Sequence, residues 1–229
     1  MPSQRILLAC LLSLLILLVF VFTIQNFLAI SLPVEGNILV VEGWIWNSPG
    51  MKDAAEEFRR GDYQYLVTVG GPAGSGDVHS DQKNFAELAA RRLQELGIPE
   101  TDITVLRVPA VTSHRTYACA LTLKNWLTTS KIDTTGVNVV TLGAHARKTL
   151  VLFQRTLGPE TKVGVISGTD DEYDPNRWWL SARGIYVIMR KTVGYLYAIA
   201  WPLPEGFLNT PNSSFHGASL HRPSRALIS

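Results

Sequence analysis

The segment TLGAHARKTLVLFQRTLG, residues 141–158, sets His145, Arg147 and Lys148 where a short β-branched run gives way to a helical pattern. A histidine at such a junction can donate to a phosphate oxygen or move a proton near neutral pH. Cations in a first helical turn oppose the helix dipole, at about 0.3–1 kcal/mol each when exposed, and an anion bound across the turn would offset that. Solvated side chains also account for Arg147 and Lys148, so both readings stay open.

Four other segments carry groups that fit such chemistry. In VTSHRTYACA, Ser113 suits a helix N-cap and Thr116 can serve the same turn, while Arg115 beside free N–H groups makes an anion site. In GGPAGSGDVHSD, Gly70, Gly71, Gly74 and Gly76 permit positive φ or close backbone approach, which suits an oxyanion. Asp77, His79 and Asp81 alternate there and leave a divalent cation open, although this spacing arises readily in loops. The segment has neither the ordered glycine spacing of a dinucleotide fingerprint nor a Gly-Lys-Ser/Thr. In EGWIWNSPG, Glu42 can accept from a ligand hydroxyl or help hold a cation, and Trp44 and Trp46 offer flat faces for a sugar or ring. In GTDDEYDPNRWW, Asp170, Asp171, Glu172 and Asp174 can balance the basic groups or supply oxygen ligands, without a calcium-loop pattern.

These residues give a definite expectation. His145 acts as general acid or base, Glu42 or Asp171 positions water or a cation, and Gly70, Gly71, Ser113, Arg115, Thr116, Arg147 and Lys148 contact the ligand. No metal site is assigned and the cofactor is unknown. A serine adjacent to a histidine in sequence is not a nucleophile geometry, so no Ser-His-Asp triad is assigned.

The elements that must position these groups alternate along the chain. Strand patterns at 37–43, 65–71, 101–109, 137–143 and 162–168 are separated by helical patterns at 51–60, 85–97, about 114–127 and 146–158. Continuously apolar strands alternating with helices predict a three-layer, Rossmann-like α/β domain with a mainly parallel sheet. Parallel sheets bind ligands beyond the carboxyl ends of their strands, so the polar loops should converge there. Strand order is not readable.

Residues 6–30 contain no charged side chain over 25 positions, more than the about 20 needed to cross a bilayer core. With Arg5 before it, this reads as an uncleaved anchor with a short cytoplasmic tail at 1–5 and an exported domain. A linker at 31–36, a domain at 37–204 and a loose, flexible tail at 205–229 complete the organisation. The apolar stretch at 178–204 is expected to pack across the sheet; a second span is disfavoured by Arg190 and Lys191, and Tyr195, Tyr197 and Trp201 at the membrane interface form the other reading. Cys10 in the span and Cys119 in the domain cannot pair, and Cys119 reads as a small core residue. Asn212-Ser213-Ser214 fits a glycosylation pattern, relevant only after export through an endoplasmic reticulum. A net charge of +2 with no basic run excludes nucleic acid as the expected partner.

The strand ending VTVGG, the segments SHRTYACA and VTLGAHARKTLVLF, and the late WW-x-S-x-x-G together resemble the SanA, ElyC and YdcF family over roughly residues 36–200. Ser113, Thr116, Tyr117 and His145 match the family pattern. Arg115 stands where asparagine is usual, Ala118 or Cys119 where an acidic or amide residue is usual, and Lys148 where arginine is usual. The resemblance implies a Rossmann-like domain, often anchored in the bacterial cytoplasmic membrane and facing the envelope, with links to peptidoglycan metabolism. The expected function is binding, with possible hydrolysis or transfer, of an anionic phosphorylated glycan or lipid-linked cell-wall precursor. The alternatives are a noncatalytic envelope factor acting on other envelope proteins through Trp44, Trp46, Trp178 and Trp179, or a nucleotide or S-adenosylmethionine binder.

Overall fold

A computed structural model of the chain describes residues 2–73 and 84–202. The candidates Gly74, Gly76, Asp77, His79 and Asp81, the Asn212 pattern and the tail at 205–229 lie outside the described residues.

The element order is α1 (Pro2–Leu28), β1 (Ile38–Glu42), α2 (Gly50–Arg60), β2 (Tyr65–Gly70), α3 (Phe85–Glu95), β3 (Ile103–Arg107), α4 (Arg115–Ser130), β4 (Val137–Leu142), α5 (Ala146–Leu157), β5 (Val163–Gly168) and α6 (Ala182–Ala200). All strand pairs are parallel, in the order β3-β2-β1-β4-β5. The chain crosses to the opposite side of the sheet after β3, so β1 and β4 flank the topological switch point where such sheets open a crevice.

Strand alternation builds the three layers. Ile38 and Val40 of β1 join Val137 and Val139 of β4 under Ala118, Leu123 and Phe153 of α4 and α5. Their neighbours Leu39, Val41 and Val140 face the opposite way, beneath Met51 and Phe58 of α2 and Leu93 of α3. Both faces are covered, which is why the strands read as mostly apolar runs.

α1 carries a strongly apolar stretch from Gln4 to Leu28, exposed over most of its length, the one helix among the described residues long and apolar enough to span a bilayer. Among the described residues this supports a single-pass membrane topology. Only the end of α1 touches the domain: Ile24 and Leu28 are buried with Tyr173, Trp178, Val187 and Ile188 in a third, smaller core.

The connection at 31–36 is bonded to the sheet. Leu32 and Val165 exchange backbone hydrogen bonds of 2.8 and 3.2 Å, and Ser31 Oγ accepts from Ser167 N at 2.9 Å. Asn138, buried on β4, accepts from Val34 N and donates to Val34 O, both at 2.8 Å, and donates to Tyr63 OH at 3.0 Å. Truncation to alanine would leave the Val34 N–H and C=O without these partners and open a cavity beside Tyr63, which keeps its bond to Glu57 Oε1 at 2.9 Å. Asn138→Ala is expected to lower stability by about 2–4 kcal/mol, read by denaturant unfolding of the detergent-solubilised chain.

α6 departs from the expected placement across the sheet. It covers α5 and the end of α1, and Arg155 of α5 satisfies its carboxyl end by donating to Ala198 O at 2.6 Å and Trp201 O at 2.9 Å. The faces of the sheet are already occupied by α2 to α5, so a sixth helix finds apolar surface only outside them.

Candidate functional site

β1 and β4 each run into a tight turn at their carboxyl ends, Gly43–Ile45 and Gly143–His145. Gly143 adopts φ +42°, a left-handed conformation that favours glycine in this turn. These turns bring Trp44 and His145 together, ring centroids 5.2 Å apart and edge to face.

A cleft of about 650 Å³ opens at this end of the sheet, walled by the end of β2, the starts of α3, α4 and α5, and the second half of α6. Arg115 and His145 share it, together with Lys148, Glu172, Arg190 and Lys191. Ser113, Thr116, Gly70 and Gly71 also line it. The convergence expected from the topology is therefore present for most of the proposed residues.

His145 is the pivot of the site. Its ring is buried, with Nδ1 3.1 Å from Lys191 Nζ and Nε2 3.4 Å from Thr116 Oγ1 and 4.0 Å from Glu42 Oε2. An ammonium only donates, so Nδ1 accepts and the ring proton belongs on Nε2, aimed inward. Burial, followed by the Lys191, Lys148 and Arg190 charges, holds the imidazole well below its ordinary range, so the ring is neutral.

Glu42 lies behind the histidine, 1% exposed on the α4–α5 face of β1. Thr149 Oγ1 donates to its Oε2 at 3.1 Å, whereas Thr141 Oγ1 is buried beside it without a bond of ordinary geometry. Burial raises the carboxyl above its ordinary value, against the opposing dipoles of Thr141, Thr149 and Trp44 and the Lys148 charge. Burial also lowers the Lys148 ammonium, and burial together with Arg190 brings Lys191 down to about 8. Lys191 Nζ also stands 5.0 Å from the Trp44 ring centroid.

Several assignments change in detail. Arg147 leaves the cleft: its guanidinium lies over the Phe27 ring, 3.9 Å from the centroid, and Nε donates to Phe27 O, which fastens α5 to the end of α1. Lys148, one helical step further, turns inward. Ser113 is not the N-cap of α4; that position is His114, at φ +57° and with no side-chain cap bond, because its ring stacks on Trp201 with centroids 3.9 Å apart and moves the helix start by one residue. Gly70 and Gly71 are not among the positive-φ glycines; Gly70 is required by close approach, since a Cβ would meet Ala86 N at 2.8 Å. Asp171 is exposed and absent from the cleft lining, where its neighbour Glu172 takes the place expected of it and pairs with Arg183 at 2.7 Å.

The four tryptophans divide between cleft and packing. Trp44 lines the cleft, and Trp46 packs half-buried on the α2–α3 core. Trp178 Nε1 donates to Val21 O at 3.2 Å, and Trp179 meets Phe22 edge-on at 5.3 Å. Cys119 is buried and its thiol pushed up, chiefly by burial, as a core residue should be. Among the described residues no group of three His, Cys, Asp or Glu side chains could hold a metal ion.

Arg190, Lys191, Tyr197 and Trp201 are site residues that sequence reading did not assign. Their signal was the adjacent pair of cations inside an otherwise apolar helix. Comparison with family models, with curated proteins and with solved structures gives no match.

Proposed function

We propose that this chain is a membrane-anchored binding protein whose cleft takes an anionic, phosphorylated small molecule or headgroup. A phosphorylated glycan or lipid-linked cell-wall precursor is the ligand class we favour, met on the outer side of a bacterial cytoplasmic membrane. One observation carries the reading: Arg115, Lys148, Arg190 and Lys191 reach one cleft from three helices, and none pairs with a carboxylate among the described residues. Lys148 and Lys191 are half-buried and Arg115 and Arg190 exposed around the same cleft, so an anion seated there would relieve their mutual repulsion, and phosphate oxygens match both the arginine fork and the lysine ammonium. Binding accounts for these groups without a chemical step. His145 has Nδ1 engaged by Lys191 and its proton turned inward, so neither nitrogen is presented to a ligand as a base.

A nucleotide or S-adenosylmethionine ligand is the second reading, favoured by the cleft's position at the β1–β4 switch point and by the flat side chains of Trp44, Phe85 and Trp201. Full-length protein in phosphatidylcholine nanodiscs, titrated with pyrophosphate, N-acetylglucosamine 1-phosphate, a polyprenyl phosphate, ATP and S-adenosylmethionine, separates the two. Saturable binding of the sugar or polyprenyl phosphate, with free N-acetylglucosamine inert, is the expected result. Tighter binding of ATP or S-adenosylmethionine would favour the second reading, and no saturable anion binding would sink both. The orientation has its own test, because an external protease should reach a C-terminal tag in intact cells.

Anion affinity should also fall with rising pH. Lys191 is charged below about 8 and neutral above it, so a charge-assisted contact worth about 1.5–3 kcal/mol fades across that range. Affinity for pyrophosphate is expected to drop by about tenfold between pH 7 and pH 9, and the drop should be clearly smaller in Lys191→Met.

A further inference from the structure

α6 buries one side and exposes another that is apolar for almost its whole length. Val187, Ile188 and Ala198 face the domain, while Ile185, Met189, Val193 and Leu196 recur at steps of four, four and three on the outside. Val193 is 62% exposed and Leu180, just before the helix, 72%. A continuous apolar face of this kind on a helix that also bears Arg183, Arg190 and Lys191 is the pattern of a segment lying in a bilayer interface.

Continuity with the membrane anchor identifies what covers it. Counting from Ile6, the first residue after Arg5, about 20 residues of helix span the hydrocarbon and bring Gln25 to its far edge. At that edge Gln25 Oε1 accepts from Tyr173 OH at 2.7 Å. Contacts begin deeper: Trp178 Nε1 donates to Val21 O and Trp179 meets Phe22, about 4.5–6 Å before that edge. The domain therefore sits against the bilayer surface. The contacts to α1 come from both ends of the 178–195 segment, Trp178 at Val21, Trp179 at Phe22 and Tyr195 at Phe27. Most of α6 lies between these contacts, which span less than two turns of α1, so α6 lies across the anchor's exit and not along it.

We propose that α6 is an interfacial membrane helix, its Ile185–Leu196 face seated among the lipid headgroups and upper acyl chains beside the anchor. Trp178 and Trp179 lie at the level favoured by interfacial aromatic side chains. Arg183 and Arg190 are both exposed beside Tyr186, their guanidinium carbons 6.0 and 5.6 Å from its ring centroid, and Arg190 lines the cleft as well, so the cleft opens at headgroup height. This inference does not depend on what the cleft binds.

The test is spin-label accessibility in full-length protein reconstituted into phosphatidylcholine vesicles. Single cysteines at Met189, Val193 and Leu196 are placed in a Cys10→Ser, Cys119→Ala background, with Leu14 as a membrane reference and exposed Gln94 and Glu160 as aqueous references. Labels on α6 should show an oxygen-to-nickel-chelate accessibility ratio at least severalfold above the aqueous references and approaching that of Leu14. Nickel accessibility equal to that of Gln94 would overturn the proposal. Low accessibility to both reagents would overturn it too, since it would mean cover by protein, either residues 203–229 or a second copy. The measurement is made without ligand, so a failed binding assay leaves it standing and a failed accessibility assay leaves the binding assay standing.

Discussion

Replacing Arg115 with glutamine and Lys191 with methionine together is expected to weaken binding of a phosphorylated ligand by about a hundredfold or more. The two side chains come from different helices, α4 and α6, and reach the same cleft without a carboxylate partner among the described residues. Each charge-assisted contact is worth about 1.5–3 kcal/mol, so losing both removes about 3–6 kcal/mol, and every 1.4 kcal/mol is a factor of ten. Folding should not suffer. Arg115 is exposed, and the Lys191 ammonium already stands at a disadvantage from burial and from Arg190. The check is ligand titration of the double variant and both single variants alongside thermal melts. Unchanged affinity in the double variant, with the fold intact, would mean that the cleft binds something other than an anion.

Glu42→Gln is expected to stabilise the protein at alkaline pH. The carboxylate is almost fully enclosed, its nearest cationic candidate is a histidine 4.0 Å away that is neutral, and burial raises its proton affinity above the ordinary value. A folded-state pKa above the unfolded one means that the folded chain holds the proton more tightly. Stability from this group is then complete below the unfolded value and is lost as pH rises through the folded one. Glutamine has nothing to ionise, so the variant should match the parent near pH 4.5 and exceed it by about 1–3 kcal/mol at pH 8, judged from the 1–4 kcal/mol gained when buried charges are replaced. Urea unfolding at the two pH values measures the difference. A variant less stable than the parent at pH 8 would show that the charge of Glu42 holds the turn at His145 together.

Most of the architecture was legible because each local pattern had one stable solution. The mostly apolar runs of β1, β2 and β4, rich in Val, Leu and Ile on both faces, could only be buried on both faces, and the alternation with helices made the sheet parallel. Convergence of Arg115, His145 and Lys148 followed from that topology alone. What was misread turned on rotation and on tertiary contact. Arg147 and Lys148 are neighbours in sequence, yet one helical step of about 100° sends one to Phe27 and the other to the cleft. The spacing of His145, Lys148 and Leu152, at three and four residues, marks the inward face and could have been used. The start of α4 was displaced because His114 has a distant stacking partner in Trp201, a contact between positions 87 apart that no local pattern records. α6 was placed on the sheet by its apolarity, but the sheet had no free face to offer.

The bonds that tie residues 31–34 to β4 and β5 leave no slack leash between the bilayer and the globular part. The head is mounted like a bracket, at one height, and searches by lateral diffusion in two dimensions. On the proposed placement of the cleft, a ligand carried in the leaflet would pass its mouth repeatedly, whereas one held a domain's width above the surface would not.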